Sequence, residues 1–260
     1  MLIGPVFTRE VAIAPRRPRL YVARAAYCGL LLLLMSTAYI VLSGTQIVRD
    51  LGDLARFGTL LFQILARLQL ALAAFFSALL AASAVTQEKD RRTLLLLFST
   101  NLTNSELVLG KLLASLLHML VLLAAAVPLF MLSALFGGVS FQQIGRVFAV
   151  TLATIVVCGS LGSTLALWRE KTFQALAMTV LVLVLWLAVW ETVASGVLFT
   201  AWGGLSCHDW AAGFCPWHAI NEATRPYVDS VPALGPVGTP FRLFLVSSLV
   251  TAVALNAVAI

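Results

Sequence analysis

Leu68–Val85 reads LQLALAAFFSALLAASAV, eighteen residues without a single charge. At about 1.5 Å of rise per residue, such a stretch reaches across most of a hydrocarbon core of roughly 30 Å. In lipid every backbone N–H and C=O must be satisfied within the segment, so it has to be helical. The run then stops at Gln87-Glu88-Lys89-Asp90-Arg91-Arg92-Thr93, a dense charge cluster. An apolar helix ending in mixed charge is the pattern of a membrane span meeting water.

The pattern recurs along the chain. Ala26–Ser43, Leu107–Phe136, Val147–Trp168, Phe173–Phe199 and Phe241–Ile260 are comparably long and nearly charge-free, giving about six spans. Composition agrees: 61% of residues are hydrophobic and 11% charged, where soluble domains carry about a quarter charged. A soluble fold of this size lacks the polar groups to cover so much apolar surface. The net charge of +6 raises nucleic-acid binding, but the basic residues flank apolar runs and no separate polar domain exists to form a binding face. The expected fold class is an all-α, polytopic membrane protein with a basic, amphipathic segment at 1–25 and a six-helix domain over 26–260.

Basic residues orient the spans. Arg9, Arg16, Arg17, Arg19 and Arg24 precede span one. Lys89, Arg91, Arg92 and Lys111 lie in the loop between spans two and three with its helix start, and Arg169 and Lys171 between four and five. These are 11 of the 17 basic residues, and they place the N-terminus in the cytoplasm. With no small-x-small cleavage site after the first apolar run, span one is read as retained. The first segment, with Val6, Phe7, Val11 and Ile13 among polar residues, reads either as an inner-surface amphipathic strip or as a plain topology anchor. Arg67 would sit at the start of span two and snorkel to the interface. Glu191, late in span five, would sit near the outer interface or line a cavity. The apolar run is unbroken at Ile260, which leaves open whether the chain continues.

The loop over 86–105 carries the most information. After its charge cluster come the short apolar run Leu94–Phe98 and the polar turn Ser99–Ser105; Thr103 and Glu106 have capping-box spacing for the start of span three. Read from residues alone, this is a surface amphipathic helix, a turn and a capped helix, and its charges serve equally to set topology. The residues from Glu88 through Leu97, and from Ser99 through Glu106-Leu107-Val108-Leu109-Gly110-Lys111, resemble the signature of ABC-2 type permeases. In that family an acidic and basic cluster precedes a Thr-Leu-Glu-Leu-Leu-like stretch, a Thr-Pro-Leu-Ser-like turn and a Glu-Ile-Val-Leu-Gly-Lys-like helix start. Pro5-Val6, Arg9-Glu10 and Arg16-Arg17-Pro18-Arg19 are similar to the family's basic N-terminal helix. Arg92 replaces a frequent glycine, Asn101 the turn proline, and Leu95–Leu97 lacks the family's acidic residue.

The resemblance implies a type V exporter-like architecture in a bacterial-type inner membrane. Two permease copies, identical or related, would form an export pathway above two separate ATPase subunits, which bind ATP and Mg. It also implies that Glu88, Lys89, Asp90, Arg91, Arg92 and Thr93 form a coupling element, with Arg169, Glu170 and Lys171 as a second cytoplasmic contact or a plain tight turn. The chain carries no nucleotide site of its own: Gly110-Lys111 imitates the end of a P-loop, but Ser105 replaces the upstream glycine and Leu112 the Ser or Thr.

The outer loop over 200–240 holds Cys207-His208-Asp209 and Cys215-Pro216-Trp217-His218. Their spacing matches no strong zinc pattern, and a disulfide or free thiols at Cys207 and Cys215 are the preferred readings. Trp202, Trp210 and Trp217 point to short interfacial helices, and Pro226, Pro232, Pro236 and Pro240 to an irregular return. Glu191, His118 and Asn256 are the notable polar groups in the spans, and Glu191 and His118 are the candidate pathway groups. An intramembrane protease would recruit Ser160 or Ser163 with His118, but small residues in spans generally serve packing. A non-transporting membrane scaffold is the other alternative.

Overall fold

The computed structural model describes residues 18–45, 50–90, 104–168, 172–197, 201–202, 205–226 and 239–259. These form eight helices: α1 (Pro18–Thr45), α2 (Leu51–Asp90), α3 (Asn104–Leu135), α4 (Phe141–Trp168), α5 (Thr172–Ala194), α6 (Cys207–Phe214), α7 (Pro216–Thr224) and α8 (Thr239–Ala259). Two-residue strands β1 (Ala201–Trp202) and β2 (Leu205–Ser206) pair antiparallel just before α6. Six helices, α1 to α5 and α8, are long and apolar enough to cross a membrane. The all-α polytopic expectation therefore holds.

The span boundaries shift for identifiable reasons. α2 has 40 residues, about 60 Å at helical rise and roughly twice the hydrocarbon thickness. It begins seventeen residues before the expected start at Leu68 and continues past Val85 through Asp90. Arg56 and Arg67 interrupt the hydropathy but not the helix, because Arg, Leu, Ala and Gln are all good helix formers. Arg67 is thus inside a continuous helix and not at its start. α4 starts at Phe141, not Val147, because Ser140 and Gln143 make a capping box: Gln143 N–H donates to Ser140 Oγ at 3.3 Å, and Ser140 N–H to Gln143 Oε1 at 2.6 Å. α5 stops at Ala194, short of Phe199, where Gly196 turns the backbone at φ 74°. α3 begins at Asn104, as a cap at Thr103 requires, though Thr103 lies outside the described residues.

The helices alternate in direction. Tyr39 of α1 meets Phe57 of α2, and Phe62 of α2 meets Phe130 of α3, both as edge-to-face rings. α2 and α4 run parallel, and theirs is the most extensive helix pairing among the described residues. Ser77 Oγ donates to the Ile155 carbonyl at 2.7 Å across this seam. Gly162 lies so close to α2 that an added Cβ would meet the Ala78 carbonyl oxygen; at Gly159 it would come 3.2 Å from Ser77 Oγ. Small residues let the backbones approach in the manner of membrane helix pairs. α4 is the central helix, and its inward residues Val147, Val150 and Ile155 join Phe62, Leu65 and Phe130 in the main core.

The outward faces are as apolar as the core. Leu181, Val184 and Leu185 on α5 and Leu249, Val250 and Val253 on α8 are all exposed. In water such faces would be an aggregation surface; in a bilayer they face acyl chains.

The seam yields a test. Gly162→Val should cost about 1–3 kcal/mol of apparent stability by overpacking, read as a lowered unfolding temperature in detergent. Gly145→Ala, where an added Cβ meets nothing within 4 Å, should leave that temperature unchanged or slightly raised.

Candidate functional site

Two ends of the bundle carry the polar groups singled out above. At the first end α2 finishes. Thr86 is buried, with its hydroxyl donating to the Ala82 carbonyl at 3.1 Å. Ala82 and Val85 pack with Ala166 of α4 and Ala175 of α5 in a small separate core. The backbone of Glu88, Lys89 and Asp90 forms the last turn of α2, one turn beyond that core. Lys111 Nζ of α3 donates to the Ala84 carbonyl at 3.5 Å. Arg91, Arg92, Thr93, Arg169, Glu170 and Lys171 lie outside the described residues. Even so, Trp168 and Thr172, which flank 169–171, end and begin helices packed on the end of α2.

At the opposite end α6 and α7 form a cap, two short helices where the tryptophans pointed. α7 begins with Pro216, whose missing N–H costs nothing at a helix start. Ser206 and Asp209 form a capping box for α6. α7 is built into the bundle: its Ala219, Ile220 and Ala223 belong to the main core. The spans hold it by polar contacts. Arg67 Nε donates to Asn221 Oδ1 at 2.8 Å. Gln143 Nε2 donates to the Thr224 carbonyl and Arg146 Nη2 to the Arg225 carbonyl, each at 3.1 Å. These last two supply the donors that the C-terminal carbonyls of a helix lack, and the guanidinium sits at the negative end of the helix dipole.

His218 of α7 approaches Glu191 of α5, Nε2 to Oε2, at 3.0 Å. The Glu191 side chain is 68% exposed and His218 12%, so the pair ties α5 to the cap from the rim. Trp190 stacks on Phe214 at 4.9 Å, adding an aromatic tie between α5 and α6. Of the two expected pathway groups, Glu191 belongs to this cap, whereas His118 lies near the middle of α3. Arg67, Asn221 and His218 were missed as a group. They are distant in sequence, and the tryptophan-bearing helix was the only signal that brought the loop near the spans.

Below the cap, an apolar cleft of about 200 Å³ opens between α2, α5 and α7. Leu70 and Ala74 form one wall, Val184 and Leu187 the other, with Cys158 of α4 behind and Trp217 at the cap end.

The cysteine and serine readings resolve differently. Cys207 and Cys215 are both buried free thiols. The disulfide alternative is corrected for a geometric reason. Cys207 opens α6 and Cys215 follows its last residue, so the helix holds them about 12 Å apart. A disulfide needs Cα atoms about 4.4–6.8 Å apart. Burial pushes the Cys215 thiol above its usual range, reinforced by Glu191 and opposed by backbone N–H groups of Trp217 and His218. No group of three metal-binding side chains occurs among the described residues. Ser160 and Ser163 are buried, and both act in packing. Asn256 Nδ2 of α8 donates to Ser160 Oγ at 2.9 Å, and Ser163 Oγ donates to the Ser160 carbonyl at 2.9 Å.

Residues 69–255 match the family model described as ABC-2 family transporter protein. No curated protein matches the chain.

Two measurements check the cap. A double-mutant cycle with Arg67→Ala and Asn221→Ala should give a coupling of about 1 kcal/mol in apparent stability, and additive losses would contradict the bond. Peptide mapping under non-reducing conditions should recover Cys207 and Cys215 unlinked. At pH 8 alkylation of Cys215 should be slow in the folded protein and fast after unfolding, because its raised pKa leaves little thiolate.

Proposed function

The chain belongs to the ABC-2 transporter family, and on that premise we propose that it is the permease subunit of an ABC exporter. It pairs with a second permease copy and is driven by a separate ATPase that binds ATP and Mg. The basic-residue bias supports a cytoplasmic N-terminus in a bacterial-type inner membrane. The end of α2 then faces the ATPase, and α6 and α7 cap the exported side.

The observation that carries the reading is the continuity of α2. One helix joins the charged turn at Glu88–Asp90 to the Arg67–Asn221 contact with the cap. Between those points lie about 35 Å of proline-free helix packed on α3, α4 and α5. A rigid element of this kind moves as a unit, so a displacement at its charged end reaches the cap without an intermediate hinge. The small core of Ala82, Val85, Ala166 and Ala175 couples the same end to the α4–α5 turn, so Arg169, Glu170 and Lys171 serve as the second contact. The charge cluster Glu88–Thr93 suits a groove on a soluble partner, where complementary charges set register and partner choice.

Paired Arg91→Glu and Arg92→Glu substitutions should abolish co-purification of the ATPase and lose permease-dependent ATP hydrolysis several-fold, while the chain still inserts and folds. Retained co-purification would remove the coupling role. A cysteine placed at Lys89 should react with an impermeant maleimide only in inverted vesicles; reaction from outside intact cells would reverse the topology and end the proposal.

A further inference from the structure

Each helix that walls the apolar cleft ends its lining stripe, one turn further on, in a polar group. On α2, Ala71 and Ala74 line the cleft, and Arg67 lies four and seven residues before them. On α5, Val184 and Leu187 line it, and Glu191 follows at the same two spacings. On α7, Trp217 lines it, and Asn221 follows four residues later. Spacings of four and seven place residues on one face of a helix. The polar ends form two pairs, Arg67 to Asn221 at 2.8 Å and Glu191 to His218, the residue after Trp217, at 3.0 Å, and the spacing of three puts His218 and Asn221 on one face of α7. An apolar bore therefore leads into a polar ring.

The depth of that ring follows from α5. Its 23 residues, about 35 Å, cross the hydrocarbon once, and Glu191 lies in the last turn. The ring is therefore at headgroup level, among Trp186, Trp190 and Trp217, the residue type that prefers this layer.

The geometry points to a binding site for one zwitterionic phospholipid, with an acyl segment in the cleft, its phosphate at Arg67 and its ammonium at Glu191. The nearly all-apolar lining excludes a hydrophilic solute, whose polar groups would be desolvated without partners. The Arg67 Nε is engaged by Asn221, and the guanidinium carries further N–H donors of the kind that bind phosphate oxygens. The Glu191 carboxylate is 68% exposed and offers a second oxygen beyond the one facing His218. The Trp217 ring, 40% exposed, adds a cation–π surface for the ammonium. A lipid with a phosphate but no cation satisfies only half of this ring. The proposal deepens the permease reading by naming a substrate class, and rests on that reading only for the step from binding to transport.

The test needs neither ATPase nor nucleotide, so its failure is distinct from failure of the permease assignment. The full chain in nanodiscs is exposed to phosphatidylethanolamine or phosphatidylglycerol carrying the same photoactivatable acyl chain, and labelled peptides are mapped. Phosphatidylethanolamine should label the cleft walls and Trp217 about threefold more than phosphatidylglycerol, the scale of one partly exposed ion pair. Glu191→Gln should bring that ratio to about one, since it removes the same ion pair. Ala74→Phe, which fills the cleft from an apolar position, should cut labelling by both lipids several-fold with helicity by circular dichroism unchanged. Equal labelling of the unsubstituted chain by the two lipids, an unchanged ratio in Glu191→Gln, or full labelling in Ala74→Phe would each overturn the proposal.

Discussion

The close contact of α2 with α4 is the constraint on which the rest of the structure depends. In lipid, helices gain little from burying apolar side chains, since the acyl chains outside are equally apolar. What holds two spans together is close backbone approach and a few directional bonds. Gly159 and Gly162 provide the approach, and the Ser77–Ile155 hydrogen bond fixes the register. With α4 held against α2, the other helices have a two-rod platform: α3 and α5 pack on both, and α8 and α7 on α4.

That platform explains the placement of charge. A guanidinium at a helix centre costs about 2.5–3.5 kcal/mol in a bilayer. Arg67 and Arg146 avoid most of that cost by lying at the cap end of the bundle, where they bond to α7, a helix held in turn by the main core, and to its C-cap. The cap and the arginines therefore depend on one another: α7 gains donors for its terminal carbonyls, and the spans gain acceptors for their cations. Such an arrangement concentrates polar contacts at one end of the bundle and leaves its middle to apolar packing. The cleft is the region where α5, tied by the aromatic stack and the Glu191–His218 pair, stands away from α2.

Much of the architecture was legible in one dimension. Runs such as Leu68–Val85 and Phe173–Ala194 can exist only as helices in lipid, because nothing else satisfies their backbones. The Glu88–Lys111 region carried the family resemblance, since its signature is a contiguous stretch of sequence. Boundaries were harder. Hydropathy began span two only after Arg67 and span four at Val147, whereas the backbone follows helix propensity and capping, and the Ser140–Gln143 box was the overlooked signal.

The sequence by itself determined six membrane helices, their polar connections and the charge cluster at one end, because hydropathy and helix periodicity are local properties. Only the tertiary structure decided that Arg67 meets Asn221, that Glu191 meets His218, that Cys207 and Cys215 stay apart, and that an apolar cleft lies under the cap. These pairings join residues far apart in the chain. They arise from which helices become neighbours, and that choice rests on small-residue contacts too short and too common to be read as a code.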